Sequence, residues 1–263
     1  MIATPYSNLN FSQQCLAGPM LGQNLGRLGA DTLHISSPNH PDTLAQNLIT
    51  GFCKRNAYLD LRNDVDFIKM QDLLAESDIF INSYRPGVPQ RFGLDASHAA
   101  AMSQKGIIYV DISCYGHDNI WSNRPGFETV GQACSGFSVT EGSLEDPQFS
   151  PVFYLNDPLT SFHAFSGVLA AIHKRALFGG SYHVKVSLAK TGMWVGDLGL
   201  VDAKKYRHCP QKDVHAPETR EVKSVYGNIT RLTPCYEFNE LVIPVEKPVE
   251  PFGASSPNFM QNK

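Results

Sequence analysis

The chain has 263 residues, 42% of them apolar and 18% charged, so it can bury a core for one large domain or two small ones and is not a disordered segment. A net charge of -3 gives no electrostatic reason to expect a nucleic-acid partner, whose phosphates demand a basic face. From Ala17 to Gly29, Met20, Leu21, Leu25 and Leu28 fall on one helical face, and Gly29 stands where a helix C-cap belongs. Asp31 to Ile35 then reads as a short strand. Tyr58-Leu59-Asp60-Leu61 is strand-like. Asp64 to Ala75 is a helix carrying Val65, Ile68, Leu73 and Leu74, and Asp78 to Asn82 is a buried strand, which together make a βαβ unit. A helix over Ala96 to Ser103 leads to a strand over Gly106 to Ser113. This alternation predicts an α/β fold, an open parallel Rossmann-like sheet with helices on both faces.

The stretch Tyr115 to Asp157 is rich in glycine, serine and proline and reads as loops over the sheet, with an apolar segment from Val130 to Val139. Pro158 to Arg175 is the strongest helix, with Phe162, Phe165, Val168, Leu169 and Ile172 on one face. Gly179-Gly180 ends it, and Tyr182 to Leu188 returns as a strand. The domain reading is a large domain over 1–201, a polar linker over 202–225 and an extended return segment over 226–263, where five prolines disfavour regular structure.

Asp157 before Pro158 has two readings. One is a helix N-cap followed by proline in the first turn. The other is a carboxylate held ionised by the helix dipole and available as a covalent nucleophile. Asn82 to Gly87 leaves the C-terminal end of a strand, where open α/β sheets bind ligands, and Arg85 and Arg91 can pair with phosphates there or sit solvated beside a Pro-Gly turn. Gly18 admits either a close ligand or simply the start of a helix. The six cysteines form no C-x-x-C pair and no His pair has metal spacing, so no metal is expected. No G-x-S-x-G elbow supports a serine hydrolase. No apolar run approaches a bilayer span of ~18 residues and no leader pattern opens the chain, so a cytoplasmic protein without a membrane partner is expected.

Several stretches in order resemble the family III CoA transferases, which include formyl-CoA and carnitine-CoA transferases and related α-methylacyl-CoA racemases. They are Ala17-Gly18-Pro19, Leu28 to Asp31, Lys54-Arg55 leading to Leu59 to Arg62, and Asn82 through Arg91 to Leu94. Arg124 to Phe127, Gln132-Ala133, Ser135-Gly136 and Asp157 through Gly167 to Leu188 continue the likeness. The resemblance implies that Asp157 attacks an acyl-CoA and becomes an aspartyl-CoA thioester that an incoming carboxylic acid discharges, with CoA thioester as substrate and no resident cofactor. It implies that Asn82 and Arg91, with Lys54, Arg55, Arg85 and Gly18, meet the CoA, and that Gln132 faces the acyl group. The racemase branch has a histidine where this chain has Phe127, which cannot carry a proton. Residues 202–225 stand where the family carries a small domain that covers the site. A non-catalytic paralogue or subunit of the same fold is therefore the alternative reading, and a homodimer or pairing with a homologous half is the expected assembly.

Overall fold

The computed structural model describes residues 2–4, 16–39, 42–152, 154–199, 201, 216–236 and 247–260. In chain order the elements are β1 (Ile2–Thr4), α1 (Ala17–Arg27), β2 (Thr32–Ser36), α2 (Leu44–Thr50), β3 (Arg55–Tyr58) and α3 (Asp64–Glu76). Then come β4 (Ile79–Asn82), α4 (Val88–Arg91), α5 (Ala96–Met102), β5 (Ile108–Ser113), α6 (Glu128–Cys134) and α7 (Phe137–Glu141). The last are α8 (Asn156–Phe178), β6 (Tyr182–Ser187), α9 (Leu188–Asp197), β7 (Thr219–Ser224) and β8 (Gly227–Leu232). The first six strands form one wholly parallel sheet in the order β3-β2-β1-β4-β5-β6. That is the doubly wound Rossmann order, with its reversal between β1 and β4.

Strand side chains alternate between faces, and each face collects its own core. Leu33, Ile35, Ala57, Phe80 and Tyr109 pack against Met70, Leu73 and Leu74 of α3 and Ala99 of α5. Ile79, Ile81, Ile108, Val110 and Ile112 pack on the other side against Leu21 and Leu25 of α1 and Phe165 and Val168 of α8. Helices on both faces are what a parallel sheet requires. Helix α1 stops at Gly29, whose φ of 94° only glycine adopts freely. The Gly29 N–H donates to Gly26 O and the Ala30 N–H to Leu25 O, a Schellman ending.

The structure corrects several sequence expectations. The strand expected at 58–61 is β3, three residues earlier. Leu59 and Leu61 are core residues that follow its hydrogen-bonded part. On α3, Val65 and Ile68 are exposed and Met70 takes the inward position, because the sheet fixes the helix rotation and only Leu73 and Leu74 share that side. On α8, Leu169 and Ile172 turn toward solvent, and small Ala164 and Ala171 lie inward where α1 approaches closely. The segment Val130 to Val139 lies across two short helices, α6 and α7. The boundary placed between linker and return falls inside the antiparallel β7–β8 hairpin, and 202–215 lie outside the described residues.

Beyond the hairpin, residues 247–260 run extended along β3 at the edge of the sheet. Asn47 Nδ2 donates to Glu250 O, the Ser255 N–H donates to Asn56 O, and the Cys53 N–H donates to Lys247 O. Val249 and Phe259 are buried. The tail thus covers an edge that would otherwise present free backbone groups.

Candidate active site

At the C-terminal ends of β4, β5 and β6, beside the switch point, a cleft opens to solvent. Open α/β sheets gather ligands there because the loops leaving adjacent strands diverge. Its walls come from Ala17 at the start of α1, the loop Ser83 to Pro86, Ser113-Cys114 and Gly126-Phe127, and Asp157 is part of its lining.

Asp157 is not the N-cap of α8. Leu155 holds that position, so Asp157 sits inside the first turn and is only 3% exposed. Another residue does the capping. Glu128, the first residue of α6 and itself buried, accepts hydrogen bonds from the Asn156 N–H (2.8 Å) and the Asp157 N–H (2.6 Å). Its Oε1 also accepts from Gln132 Nε2 at 2.7 Å. The free amide donors that would have stabilised an Asp157 anion are therefore already paired with a different carboxylate. Burial pushes the Asp157 carboxyl up to about 7, the Glu128 charge pushes the same way, and a hydrogen bond from the Ala17 N–H opposes them. The expectation of a carboxylate held ionised by the dipole gives way to one whose charge is poorly compensated. Sequence reading missed Glu128, since a glutamate opening a seven-residue helix carries no local sign that it caps another helix 28 residues on.

Two glycines bring these helices together. A Cβ on Gly131 of α6 would lie 2.9 Å from Leu188 Cβ, and one on Gly192 of α9 would lie 2.5 Å from Ser135 Oγ, so bulkier residues would push both away from the start of α8.

Of the other residues singled out in the sequence, Arg85 joins Asp157 in the cleft lining, and its Nε is a buried donor with no hydrogen-bond partner. Gly18 lies behind that wall: a Cβ there would sit 2.9 Å from Ser83 Oγ, so the glycine lets α1 approach the end of β4. Asn82 donates through Nδ2 to Asp111 Oδ1 (2.6 Å) and borders a separate small apolar pocket with Leu61, Val88 and Phe92. Arg91 is exposed at the end of α4. Gln132 is fully buried, donating to Glu128 and accepting from the Ser150 N–H at 2.9 Å.

Arg55 forms a two-pronged pair with Asp31 at 2.9 and 2.7 Å, and Lys54 donates to Pro19 O at 3.1 Å from a buried position, so neither lines the cleft. Burial lowers the Lys54 ammonium to about 7. Between about 7 and the ordinary lysine value the unfolded chain binds the proton that the folded chain lacks, so this residue makes stability rise with pH across that window. Lys54→Met is expected to remove that rise and to raise stability near pH 7 by on the order of 2 kcal/mol, as read by chemical denaturation from pH 6.5 to 10. An unchanged slope would mean that Lys54 is solvated in the folded protein.

Among the described residues no three His, Cys, Asp or Glu side chains group as metal ligands, and no helix is long and apolar enough to cross a membrane.

The sequence profile described as CoA-transferase family III matches residues 9–227. The acetyl-coenzyme A transferase nodX of Hypoxylon pulicicidum is 31% identical over 258 residues, covering 94% of this chain and 43% of that protein. The formyl-CoA:oxalate CoA-transferase of Streptomyces avermitilis is 25% identical over 205 residues, 74% of this chain and 50% of its own length. The chain thus spans half or less of these curated relatives. The crystal structure of a CAIB/BAIF family protein from Brucella suis shares the fold, with a TM-score of 0.65 at 22% identity over 86% of this chain and 63% of that one.

Proposed function

Because this chain belongs to CoA-transferase family III, we propose that it moves coenzyme A from an acyl-CoA to a small carboxylic acid by covalent catalysis on Asp157. The observation that carries the reading is Asp157 itself: a buried carboxyl in the lining of a cleft at the switch point that also holds Arg85, with its proton affinity raised to about 7. Such a carboxylate is half ionised near neutrality and more nucleophilic than an exposed one, because little in its surroundings stabilises the anion.

In the proposed sequence the Asp157 carboxylate attacks the thioester carbonyl, the C–S bond breaks, and the CoA thiolate leaves a mixed anhydride. The thiolate then attacks the aspartyl carbonyl, forming the aspartyl-CoA thioester and releasing the first acid as its carboxylate. An incoming carboxylate repeats the two steps in reverse and departs as the new acyl-CoA. Each hard transfer is thereby split into easier ones. Arg85, with its unpaired buried donor, is suited to an anionic part of the substrate. Phe127 in the cleft wall supplies no acid or base, which speaks against two-base racemisation. The assembly that goes with this reading is a homodimer, or a pairing with a homologous half, in the cytoplasm.

Incubation with acetyl-CoA or formyl-CoA, followed by hydroxylamine and peptide mass spectrometry, is expected to place a hydroxamate on Asp157. An unmodified Asp157 across a panel of CoA esters, at concentrations where calorimetry detects CoA binding, would falsify the covalent reading. A second reading is a binding or scaffold subunit of the same fold, in keeping with Glu128 holding the amide donors that would otherwise stabilise an Asp157 anion. Calorimetry showing no CoA binding at all favours that reading.

A further inference from the structure

One thiol sits on the wall of the Asp157 cleft and a second lies behind it on α6, and the transfer chemistry uses neither. Cys114, the residue after β5, is buried and lines the cleft. Cys134 ends α6 and is half-buried. On α6 the positions of Phe127, Gly131 and Cys134 repeat at helical spacing and share one side. Cys114 packs against that side: its Sγ donates to Phe127 O at 3.9 Å, and Cys134 Sγ donates to Gly131 O at 3.5 Å. Each thiol is the first influence on the other's proton, as neighbours on one side of α6 would be. Gly126 completes the seat, since a Cβ there would lie 2.5 Å from Cys114 Sγ. Cys53 is instead buried with Phe52 and Val249, and Cys235 is exposed elsewhere.

We propose that Cys114 and Cys134 form an oxidant-responsive pair, which hydrogen peroxide converts to a disulfide in the wall of the Asp157 cleft. The pair differs in reactivity. The contact from Cys114 favours the thiolate of Cys134, whereas that contact, burial and the nearby carboxylates of Asp157 and Glu128 hold the Cys114 proton in place. Cys134 is also the more accessible of the two. Its thiolate attacks the peroxide, the O–O bond breaks, a sulfenic acid forms, and the hydroxide released takes a proton to become water. Cys114 then attacks the Cys134 sulfur, the S–S bond forms as the S–O bond breaks, and the second water leaves carrying the Cys114 proton. Two thiols lose two electrons and one peroxide gains them.

The disulfide shortens a thiol contact to about 2.05 Å and draws the end of α6 toward the end of β5. The same helix begins with Glu128, which holds the start of α8, so oxidation is expected to change the surroundings of Asp157.

The test is independent of CoA transfer. The full chain is treated with hydrogen peroxide, alkylated, digested without reductant and analysed by mass spectrometry. A cross-linked Cys114–Cys134 peptide that dithiothreitol dissolves is the expected result. Cys114→Ser is expected to leave a sulfenic acid on Cys134 that dimedone traps, and Cys134→Ser to leave Cys114 reduced at the same dose. Over-oxidation of Cys134 without a cross-link, a cross-link to another cysteine instead, or alkylation of both thiols in the folded wild type after peroxide overturns the proposal. If the disulfide forms but Asp157 never takes up an acyl group, the transferase reading fails and this one stands.

Discussion

Asp157→Asn is expected to abolish CoA transfer while making the folded protein more stable at alkaline pH. Asparagine keeps the size of the side chain and can still accept from the Ala17 N–H, but it cannot attack a thioester and release CoA. Removing a covalent nucleophile costs on the order of 10⁴-fold or more in kcat. The stability gain follows from the raised carboxyl. Below about pH 4 the group is protonated in both folded and unfolded chains and contributes nothing. As pH climbs toward about 7 the unfolded chain ionises while the folded one resists, so the wild type loses stability, and above about 7 the loss is complete. The loss is on the order of 4 kcal/mol as an upper figure, and the asparagine variant escapes it. Thermal melts are expected to show the variant above wild type at pH 8 and level with it at pH 4, alongside an assay of acetyl-CoA with a set of carboxylic acids. Transfer at the wild-type rate by a stable Asp157→Asn protein removes the aspartate from the chemistry.

Glu128→Ala is expected to destabilise the protein more than any other single change at the site. It leaves the Asn156 N–H and the Asp157 N–H without their acceptor in a buried setting and takes one acceptor from Gln132. Each such orphan costs roughly 1–3 kcal/mol, so a total of about 3–5 kcal/mol is expected. In a chain of this size that lowers Tm by roughly 6–20 °C. Glu128→Gln is expected to cost less, because one amide oxygen still accepts while its NH₂ faces a donor. The glutamine variant also removes a negative charge from beside Asp157, so its carboxyl ionises at lower pH than in wild type. Acyl capture by Asp157, followed against pH by quenched mass spectrometry, is expected to begin at lower pH in that variant. A Glu128→Ala protein that melts with wild type would show that water replaces the carboxylate at no cost, and that the start of α8 is held by other contacts.

Much of the parallel sheet was legible from residue patterns. Strands at 79–82 and 108–113 announce themselves because a strand buried on both faces needs an unbroken or nearly unbroken apolar stretch, and 182–187, at the edge of the sheet, by the alternation of Tyr182, Val184 and Val186 with polar residues. β1 did not, since Ile2–Thr4 is only three residues long and too short to show a period. Helix α2 also escaped notice. It is seven residues long, and Leu44 and Ile49 face solvent while Gln46 and Asn47 are buried, so its amphipathic pattern is inverted. Pairing of Asn47 with the tail across some 200 residues explains the inversion, and no local window contains that information.

The position of Asp157 at the start of the longest described helix followed from spacing along the chain, whereas its assignment to a site came from the resemblance to the family III CoA transferases. Its charge state followed from neither. Read locally, a carboxylate in the first turn of a helix is stabilised by free amide donors. In the folded chain those donors belong to Glu128, which α6 carries in from 28 residues away. Propensity and periodicity act over a few residues and so can be read along the chain. Proton affinity depends on every charge and dipole within several ångströms, and only the packing of α6, α8 and α1 decides which of these there are.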